Sequence, residues 1–136
     1  MTYLLLGGTG KTATRVATSL AAANKPFLLA SRRGPDAAPK EFPAIKLDWT
    51  MEATWSQAFE HGQIKAVYMM EPQVNQPWVP MIKFVDLAIQ KGVRRFVLCG
   101  GTTTAVGKDG MGRVWEHFIK TGVEYCVLRP SWFMGA

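Results

Sequence analysis

Hydrophobic residues in this chain fall into short runs that alternate with more polar stretches. Six runs rich in apolar and β-branched residues predict six β-strands, which lie at residues 2–7, 26–31, 44–49, 66–71, 94–100 and 124–130. Several of these runs are almost continuously apolar, which is typical of strands that are buried on both faces of a parallel sheet. The pattern therefore predicts a sheet that is covered on both sides.

Three of the intervening segments carry the spacing of amphipathic helices. Apolar residues recur there three and four positions apart, which places them on one face of a helix. The three sets are Ala13, Val16, Ala17, Leu20 and Ala21; Trp78, Ile82, Val85 and Ile89; and Met111, Val114, Trp115, Phe118 and Ile119. Gly92 and Gly122 each stand just before a predicted strand, which favours helix ends closed by a glycine. Residues 32–43 are expected to form a Pro-rich loop.

This order of elements predicts the fold class. Parallel strands that are joined through helices need right-handed crossover connections, and six such strands fit the doubly wound order 3-2-1-4-5-6. The prediction is an α/β protein with a Rossmann-type, doubly wound parallel sheet of six strands and flanking helices. At 136 residues, 48% of them hydrophobic, the chain has enough apolar material for one core. Residues 1–136 are expected to form a single NAD(P)-binding domain.

Composition and charge narrow the choice of partners. Sixteen basic and ten acidic residues give a net charge of +6, which suits anionic ligands, but the basic residues are scattered and so do not predict a nucleic-acid partner. No apolar run approaches the roughly 18 residues that would span a bilayer, and no signal peptide is recognisable. We expect a cytoplasmic protein with no membrane partner. Cys99 and Cys126 stand inside apolar runs without metal-ligand spacing, so they are predicted to be buried free thiols, with no metal site.

A glycine-rich turn follows the first predicted strand. Gly7, Gly10 and Ala13 recur at three-residue spacing between that strand and a helical segment. In such a turn the first glycine permits the bend, the second lets the backbone approach a pyrophosphate, and the small third residue lets helix pack against strand. The helix N-terminus then offers free N–H groups to phosphate, and the predicted contacts are made by Gly7, Thr9, Gly10, Lys11 and Thr12. The alternative interpretation is an ordinary strand-to-helix turn.

The end of the second strand indicates which dinucleotide is bound. Sites that prefer NAD usually place Asp or Glu there to accept from the ribose 2′-OH, whereas this chain has Ser31, Arg32 and Arg33. A hydroxyl and two guanidinium groups suit a 2′-phosphate, so the prediction is NADP(H). The alternative is that both arginines are merely solvated loop residues.

Further cofactor contacts are predicted at the ends of the other strands, since ligands of open α/β sheets bind outside the carboxyl ends. Asp48 and Trp49 are expected to frame the adenine, and Met70 and Glu71 to lie along the dinucleotide. The last two predicted contacts, at the end of the fifth strand, are Gly100 and Gly101.

The usual proton relay of a short-chain dehydrogenase is not recognisable. That relay needs a Ser or Thr after the fifth strand and a Tyr followed four residues later by a Lys. Thr102 or Thr103 can supply the hydroxyl, but Trp115 stands where the Tyr is expected and Ile119 where the Lys is expected. Trp115 also fits core packing better than catalysis. His117 titrates near neutrality and is the remaining proton-shuttle candidate, with simple solvation as the alternative.

Several longer stretches resemble a known family. They are "YLLLGGTGKTA", "PFLLASRR", "PMIKFVDLAIQKGVRRFVLCGG", "MGRVWEHF" and "GVEYCVLRPSWFM". Together they resemble the NmrA-like atypical short-chain dehydrogenases, and within that group the fungal ergot-alkaloid reductases of the festuclavine synthase and agroclavine dehydrogenase type. Many NmrA-like proteins carry a lysine where this chain has Met111, and the Met-Gly pair favours the alkaloid branch.

The resemblance implies an NADPH-dependent reductase of an iminium-type intermediate in fungal indole-alkaloid biosynthesis. Hydride addition to an iminium carbon neutralises a positive charge and yields an amine directly, so the missing relay is consistent with this chemistry. The substrate would be a small alkaloid molecule. Trp132, Phe133 or Trp115 would supply an aromatic wall, worth on the order of 1 to 2 kcal/mol to a desolvated cation.

The chain departs from this family in length. Members continue well beyond "RPSWFM" into a segment that closes over the substrate, whereas two residues follow Met134 here. A truncated chain, a naturally shortened protein or a homodimer that supplies the missing wall would each account for this. The alternative function is a non-redox one, as a cyclase, an NADP sensor or a scaffolding partner.

Overall fold

The computed structural model describes residues 2–7, 11–38, 40–60, 62–72, 74–100 and 104–129, without the side chains of residues 11, 12 and 37. The strands are β1 (Thr2–Leu6), β2 (Phe27–Ser31), β3 (Ala44–Lys46), β4 (Ile64–Met70), β5 (Arg95–Cys99) and β6 (Glu124–Leu128). The α-helices are α1 (Lys11–Ala22), α2 (Trp78–Gln90) and α3 (Met111–Thr121), and two 3₁₀ helices span Gly34–Ala37 and Glu52–Phe59.

The six strands form one parallel sheet in the order β3-β2-β1-β4-β5-β6, which confirms the predicted fold class. β1 lies at the centre, where Leu5 is in register with Leu29 of β2 and with Tyr68 of β4. Because all strands run in one direction, their carboxyl ends meet at one edge of the sheet, called here the carboxyl edge. β3 and β6 are the two outer strands.

Hydrophobic cores lie on both faces of the sheet. On one face α2, α3 and the 3₁₀ helix Glu52–Phe59 cover a core that includes the fully buried rings of Phe84, Phe96 and Phe118. On the other face α1 covers a smaller core that contains Leu5, Ala17 and Leu29. Complete burial of a large apolar side chain contributes about 1.5 to 3 kcal/mol, so these layers hold the sheet together.

The helices bury somewhat different faces from those predicted. In α2 the buried residues are Met81, Phe84, Val85 and Ala88, whereas the predicted Trp78, Ile82 and Ile89 are half-buried around them. α2 is apolar over more than one face because it contacts α3 and the 3₁₀ helix as well as the sheet, and spacing alone does not rank overlapping apolar faces.

Two predicted apolar-face residues are in fact exposed. Ile119 of α3 is 51% exposed, and Ala21 lies exposed near the end of α1. Both stand in the last turn or two of their helices, where the helix extends past its buried partners. None of the described helices combines the length and the apolar character that crossing a membrane requires.

The prediction of two buried thiols is correct for Cys99 and wrong for Cys126, which is exposed. Cys126 is in register with Val97, and Val97 belongs to the core on the α1 side of the sheet. The two side chains therefore point to that same face. Within the described ranges no element covers this face of β6, and Leu128, on the same face, is 44% exposed.

Candidate functional site

A groove of about 480 Å³ opens at the carboxyl edge of the sheet. Residues that follow four neighbouring strands converge on it because parallel strands end side by side. Its lining consists of Gly7, Ala30, Ser31, Arg32, Leu47, Asp48, Trp49, Thr50, Met70, Glu71, Pro72 and Val74. Seven of these were predicted as cofactor contacts from the sequence: Gly7, Ser31, Arg32, Asp48, Trp49, Met70 and Glu71.

The floor of the groove is built by the turn that leaves β1. Gly7 has a φ of +75°, a conformation that L side chains rarely adopt, so the turn depends on glycine. α1 begins at Lys11, and its first backbone N–H groups have no partner within the helix. Helix N-termini of this kind bind phosphate through those groups and through the helix dipole. Thr9 and Gly10 lie outside the described residues.

The chain bends sharply after β2. The Ser31 hydroxyl oxygen accepts a hydrogen bond of 3.1 Å from the Gly34 N–H, and Gly34 has a φ of +64°. A side chain at Gly34 would press on the Lys46 backbone at 3.3 Å, which adds a second reason for glycine. Arg32 and Arg33 are both exposed, but Arg32 lines the groove, whereas Arg33 caps the 3₁₀ helix Gly34–Ala37 and is not among the lining residues.

A tight turn after β3, residues 48–51, contributes Asp48, Trp49 and Thr50 to the groove lining beside the end of β2. Asp48 and Met51 form an isolated bridge, closed by a 3.0 Å bond from the Met51 N–H to the Asp48 carbonyl. The Asp48 carboxylate accepts from the Thr50 hydroxyl at 2.7 Å and from the Thr50 N–H at 2.9 Å, both at Oδ1. These residues are referred to below as the Asp48 turn.

The groove lining carries charges of both signs, from Arg32 and Asp48. The Thr50 hydroxyl, followed by the Thr50 N–H, lowers the pKa of Asp48; burial raises it, and the positive charges of Arg32 and Lys46 lower it further. Asp48 is therefore ionised at neutral pH. Within the described ranges its second oxygen, Oδ2, has no hydrogen-bond donor, so it is open to a ligand N–H or O–H.

The opposite end of the carboxyl edge holds a second group of predicted residues. Gly100 is buried, and a side chain there would come within 2.6 Å of the Thr104 hydroxyl. The Arg129 guanidinium carbon lies 5.6 Å from the Trp115 ring centroid, and Arg129 Nη1 donates to the Thr104 carbonyl at 3.3 Å. A cation therefore already stands over the indole of Trp115. The indole N–H is shielded from solvent and has no acceptor among the described residues.

His117 lies apart from the groove lining. Its Nε2 is 2.7 Å from Asp86 Oδ1, so it joins α3 to α2, and the His117 side chain is 20% exposed. This geometry gives His117 a partner in the helix layer, and its catalytic role stays a prediction.

Other predicted residues are not part of this description. Gly101, Thr102, Trp132 and Phe133 lie outside the described residues. Lys11 and Thr12 are described only as the first backbone positions of α1.

The sequence reasoning missed several residues of the groove. Ala30 and Leu47 belong to the apolar runs of the second and third strands, and Pro72 and Val74 continue the chain beyond β4. Thr50 carried a usable signal, because an Asp whose carboxylate bonds to the backbone two residues on is a recognised turn pattern. Ala30 and Leu47 lie inside the predicted strands 26–31 and 44–49, and following the chain past the fourth predicted strand leads to Pro72 and Val74.

Comparison with known proteins gives clear relatives. The chain is 43% identical over 141 aligned positions to festuclavine synthase I of Penicillium roqueforti, covering 98% of this chain and 48% of that protein. It is 39% identical to agroclavine dehydrogenase of Claviceps purpurea, covering 98% of this chain and 47% of that protein. The chain therefore spans about half the length of the curated relatives it matches. No family model matches it.

A search of solved structures supports the fold. A Rossmann-fold NAD(P)-binding family protein from Shigella flexneri superimposes with a TM-score of 0.73 at 24% identity, covering 96% of this chain and 67% of that one. At this level of sequence identity the structural similarity supports the fold and nothing further.

Proposed function

We propose that this chain binds NADP(H) and acts as an NADPH-dependent reductase of an iminium-type intermediate in indole-alkaloid biosynthesis. Its similarity to the fungal festuclavine synthases and agroclavine dehydrogenases supports this proposal. The observation that carries the proposal is the groove at the carboxyl edge. There Gly7, Arg32 and Asp48 line one groove, which supports a phosphate turn, a 2′-phosphate partner and an adenine partner for the same dinucleotide.

The residues present fit such a dinucleotide. The positive φ of Gly7 and the N-terminus of α1 suit a pyrophosphate, and the unpaired Oδ2 of an ionised Asp48 suits the amino group of an adenine. Arg32 suits a 2′-phosphate because guanidinium groups bind phosphate oxygens in pairs. Residues 31–35, at the carboxyl end of β2, include no Asp or Glu. The carboxylate that usually accepts from a free ribose 2′-OH is therefore missing at this position.

The chemistry that a bound NADPH supplies is the transfer of a hydride to an electrophilic carbon. At an iminium carbon the hydride forms the new C–H bond while the C=N π electrons become the nitrogen lone pair, so charge is balanced without a proton. The protein then has to position the substrate and exclude water rather than donate a proton. Trp115 in place of the usual Tyr is consistent with such a reaction.

The cation over Trp115 refines the predicted aromatic wall. Because Arg129 already occupies one side of that indole, only the other side would be free for a cationic substrate. Trp132 and Phe133 are therefore the preferred wall residues in this proposal, with the small-molecule alkaloid as the substrate.

Calorimetric titration of the purified chain with NADPH and NADH tests the cofactor. The expected result is tighter binding of NADPH, and absence of binding by either dinucleotide would refute the proposal. The reaction is tested by following the loss of dihydronicotinamide absorbance with cyclic iminium compounds and, as a matched control, with the corresponding neutral amines.

A second candidate function is favoured by the uncovered face of β6. Exposed Cys126 and Leu128 offer a contact surface that a non-redox scaffolding or NADP-sensing protein would use. This function predicts NADPH binding without consumption of NADPH by any iminium compound, so the same two experiments separate the two candidates.

A further inference from the structure

Two side chains of the 3₁₀ helix Glu52–Phe59 add hydrogen bonds to the Asp48 turn, beside the bonds that Thr50 and Met51 make within it. The Asp48 N–H donates to the Thr54 hydroxyl oxygen at 2.9 Å, and the Asp48 carbonyl accepts from the Trp55 indole N–H at 2.9 Å. The backbone N–H and carbonyl of Asp48 are thus each hydrogen-bonded to the side chain of one of two consecutive residues in Glu52–Phe59. Asp48 lies beyond the end of β3, where the sheet no longer pairs its backbone.

Thr54 also fixes the far end of the turn. Its hydroxyl donates to the Met51 carbonyl at 2.7 Å, and its N–H donates to the same carbonyl at 2.9 Å. At 8% exposure, Thr54 is the one buried polar residue in the described ranges. A hydroxyl at such a depth is stabilising only when its bonds are satisfied, and here it accepts one hydrogen bond and donates another.

Trp55 is anchored by an aromatic cluster. Its ring is 3% exposed and meets the rings of Trp49 and Phe84 edge-on at centroid distances of 5.8 Å, and Phe59 stacks on Phe84 at 5.7 Å. The indole N–H is therefore held at a fixed point of the core, and it aims at the Asp48 carbonyl. Since Trp49 belongs both to this cluster and to the groove lining, the core packs directly against the groove wall.

From these contacts we propose that Thr54 and Trp55, neither of which lines the groove, are positioning residues that preset the adenine wall for the dinucleotide. The inference rests on the proposed function and deepens it. A turn whose backbone is fixed in advance loses no conformational freedom when the ligand arrives, so the contacts behind it contribute to affinity without touching the ligand. They also hold the Asp48 carboxylate and Thr50 in the geometry in which Oδ2 has no donor among the described residues.

The test compares four variants in the full chain by calorimetry with NADPH and by thermal unfolding. Thr54→Val removes the hydroxyl and keeps the shape, and Trp55→Phe removes the indole N–H and keeps an aromatic ring. Thr54→Ser restores the hydroxyl as the conservative rescue. Phe59→Leu is the matched control, because it weakens the same aromatic cluster and leaves every hydrogen bond of the Asp48 turn in place.

We expect Thr54→Val and Trp55→Phe each to weaken NADPH binding about fivefold to tenfold, because Trp55→Phe removes one hydrogen bond to the Asp48 turn and Thr54→Val removes two. Thr54→Ser should bind within about twofold of the wild type, and Phe59→Leu should lower the melting temperature without a comparable loss of affinity. Equal NADPH affinities in Thr54→Val, Trp55→Phe and Phe59→Leu would overturn the positioning role of Thr54 and Trp55 but not the proposed function. A wild-type chain that does not bind NADPH would overturn the proposed function itself.

Discussion

At the scale of single residues, two adjacent arginines that the sequence does not distinguish have different surroundings in the structure. Arg32 lines the groove, and its positive charge contributes to the low pKa of Asp48. Arg33 stands one residue further on, at the N-cap position of the 3₁₀ helix Gly34–Ala37. The role proposed for the pair in binding a 2′-phosphate therefore falls mainly to Arg32.

This difference gives a prediction that is internally controlled. Arg32→Ala should weaken NADPH binding by about tenfold or more while leaving NADH binding nearly unchanged, because it removes a guanidinium that only the 2′-phosphate would use. Arg33→Ala removes the same charge from the neighbouring position and should change NADPH affinity by less than about threefold. Calorimetric titration measures both, and equal losses in the two variants would contradict the assignment.

Asp48 supplies a prediction about pH. Its pKa is lower in the folded chain than in the unfolded chain, so the ionised carboxylate stabilises the fold above its ordinary pKa, and this contribution is lost as the pH falls through the lowered value. Asp48→Asn should therefore lower the free energy of unfolding by about 1 kcal/mol at neutral pH, a value reduced for solvent screening.

The stability difference between wild type and Asp48→Asn should shrink on acidification below pH 4. Thermal unfolding measured across the acidic range checks this, with Asp36→Asn as the control for a simple change of surface charge. A difference that stays constant down to the most acidic sample would show that the Thr50 bonds do not favour the charged form.

At the scale of elements, the loop before α3 depends on close contact with the helix. Gly112 is buried, and a Cβ there would overlap the Ala105 carbonyl oxygen, while the Gly107 N–H donates to the Gly112 carbonyl at 2.9 Å. This segment lies next to Thr104, so it supports the end of the carboxyl edge at Gly100.

Gly112→Ala should consequently lower the free energy of unfolding by about 2 kcal/mol, although alanine favours a helix by about 1 kcal/mol over glycine. We expect a loss of stability rather than a gain because the added Cβ would meet a backbone oxygen, which moves less readily than a flexible side chain. Chemical denaturation measures the change, with the exposed Lys120→Ala in the same helix as the control. A stability gain in Gly112→Ala would mean that the loop moves away at little cost.

The elements themselves were largely predictable, for a physical reason. All six strands were located from apolar runs because strands buried on both faces leave little choice of residue type, and the parallel order followed from the chirality of crossover connections. The buried face of α2 was predicted less well. Several apolar faces overlap on that helix, and only contacts with α3 and the 3₁₀ helix decide among them.

The groove was predictable only in part. Residues that follow strands, such as Ser31 and Asp48, were found because strand ends converge at one edge of a parallel sheet. Thr54 and Trp55 were not found, because they act through hydrogen bonds from a 3₁₀ helix that has no strong periodic pattern. Nothing in the sequence separates Arg32 from Arg33, since the direction of each side chain is set by the bend at Gly34.

At the scale of the whole molecule, one face of the outer strand β6 is the most incomplete surface of the described structure. Cys126 and Leu128 share the face on which α1 covers the central strands, yet both are exposed. Tyr125, on the other face, is 42% exposed even though it stacks on Phe118 at 5.7 Å. An outer strand with exposed apolar side chains on both faces is a typical site of association.

Cys126 offers a direct measurement of whether a second copy covers this surface, as the predicted homodimer would. The Cys126 thiol should react readily with an alkylating reagent in dilute protein and should become protected as the protein concentration rises, whereas the buried Cys99 should react only on unfolding. Mass spectrometry of the modified chain measures the reactivity of each thiol, and light scattering of the same samples measures the oligomeric state. A dimer that leaves Cys126 fully reactive would place the interface elsewhere, and a monomer at every concentration would rule out a second copy as the source of the substrate wall.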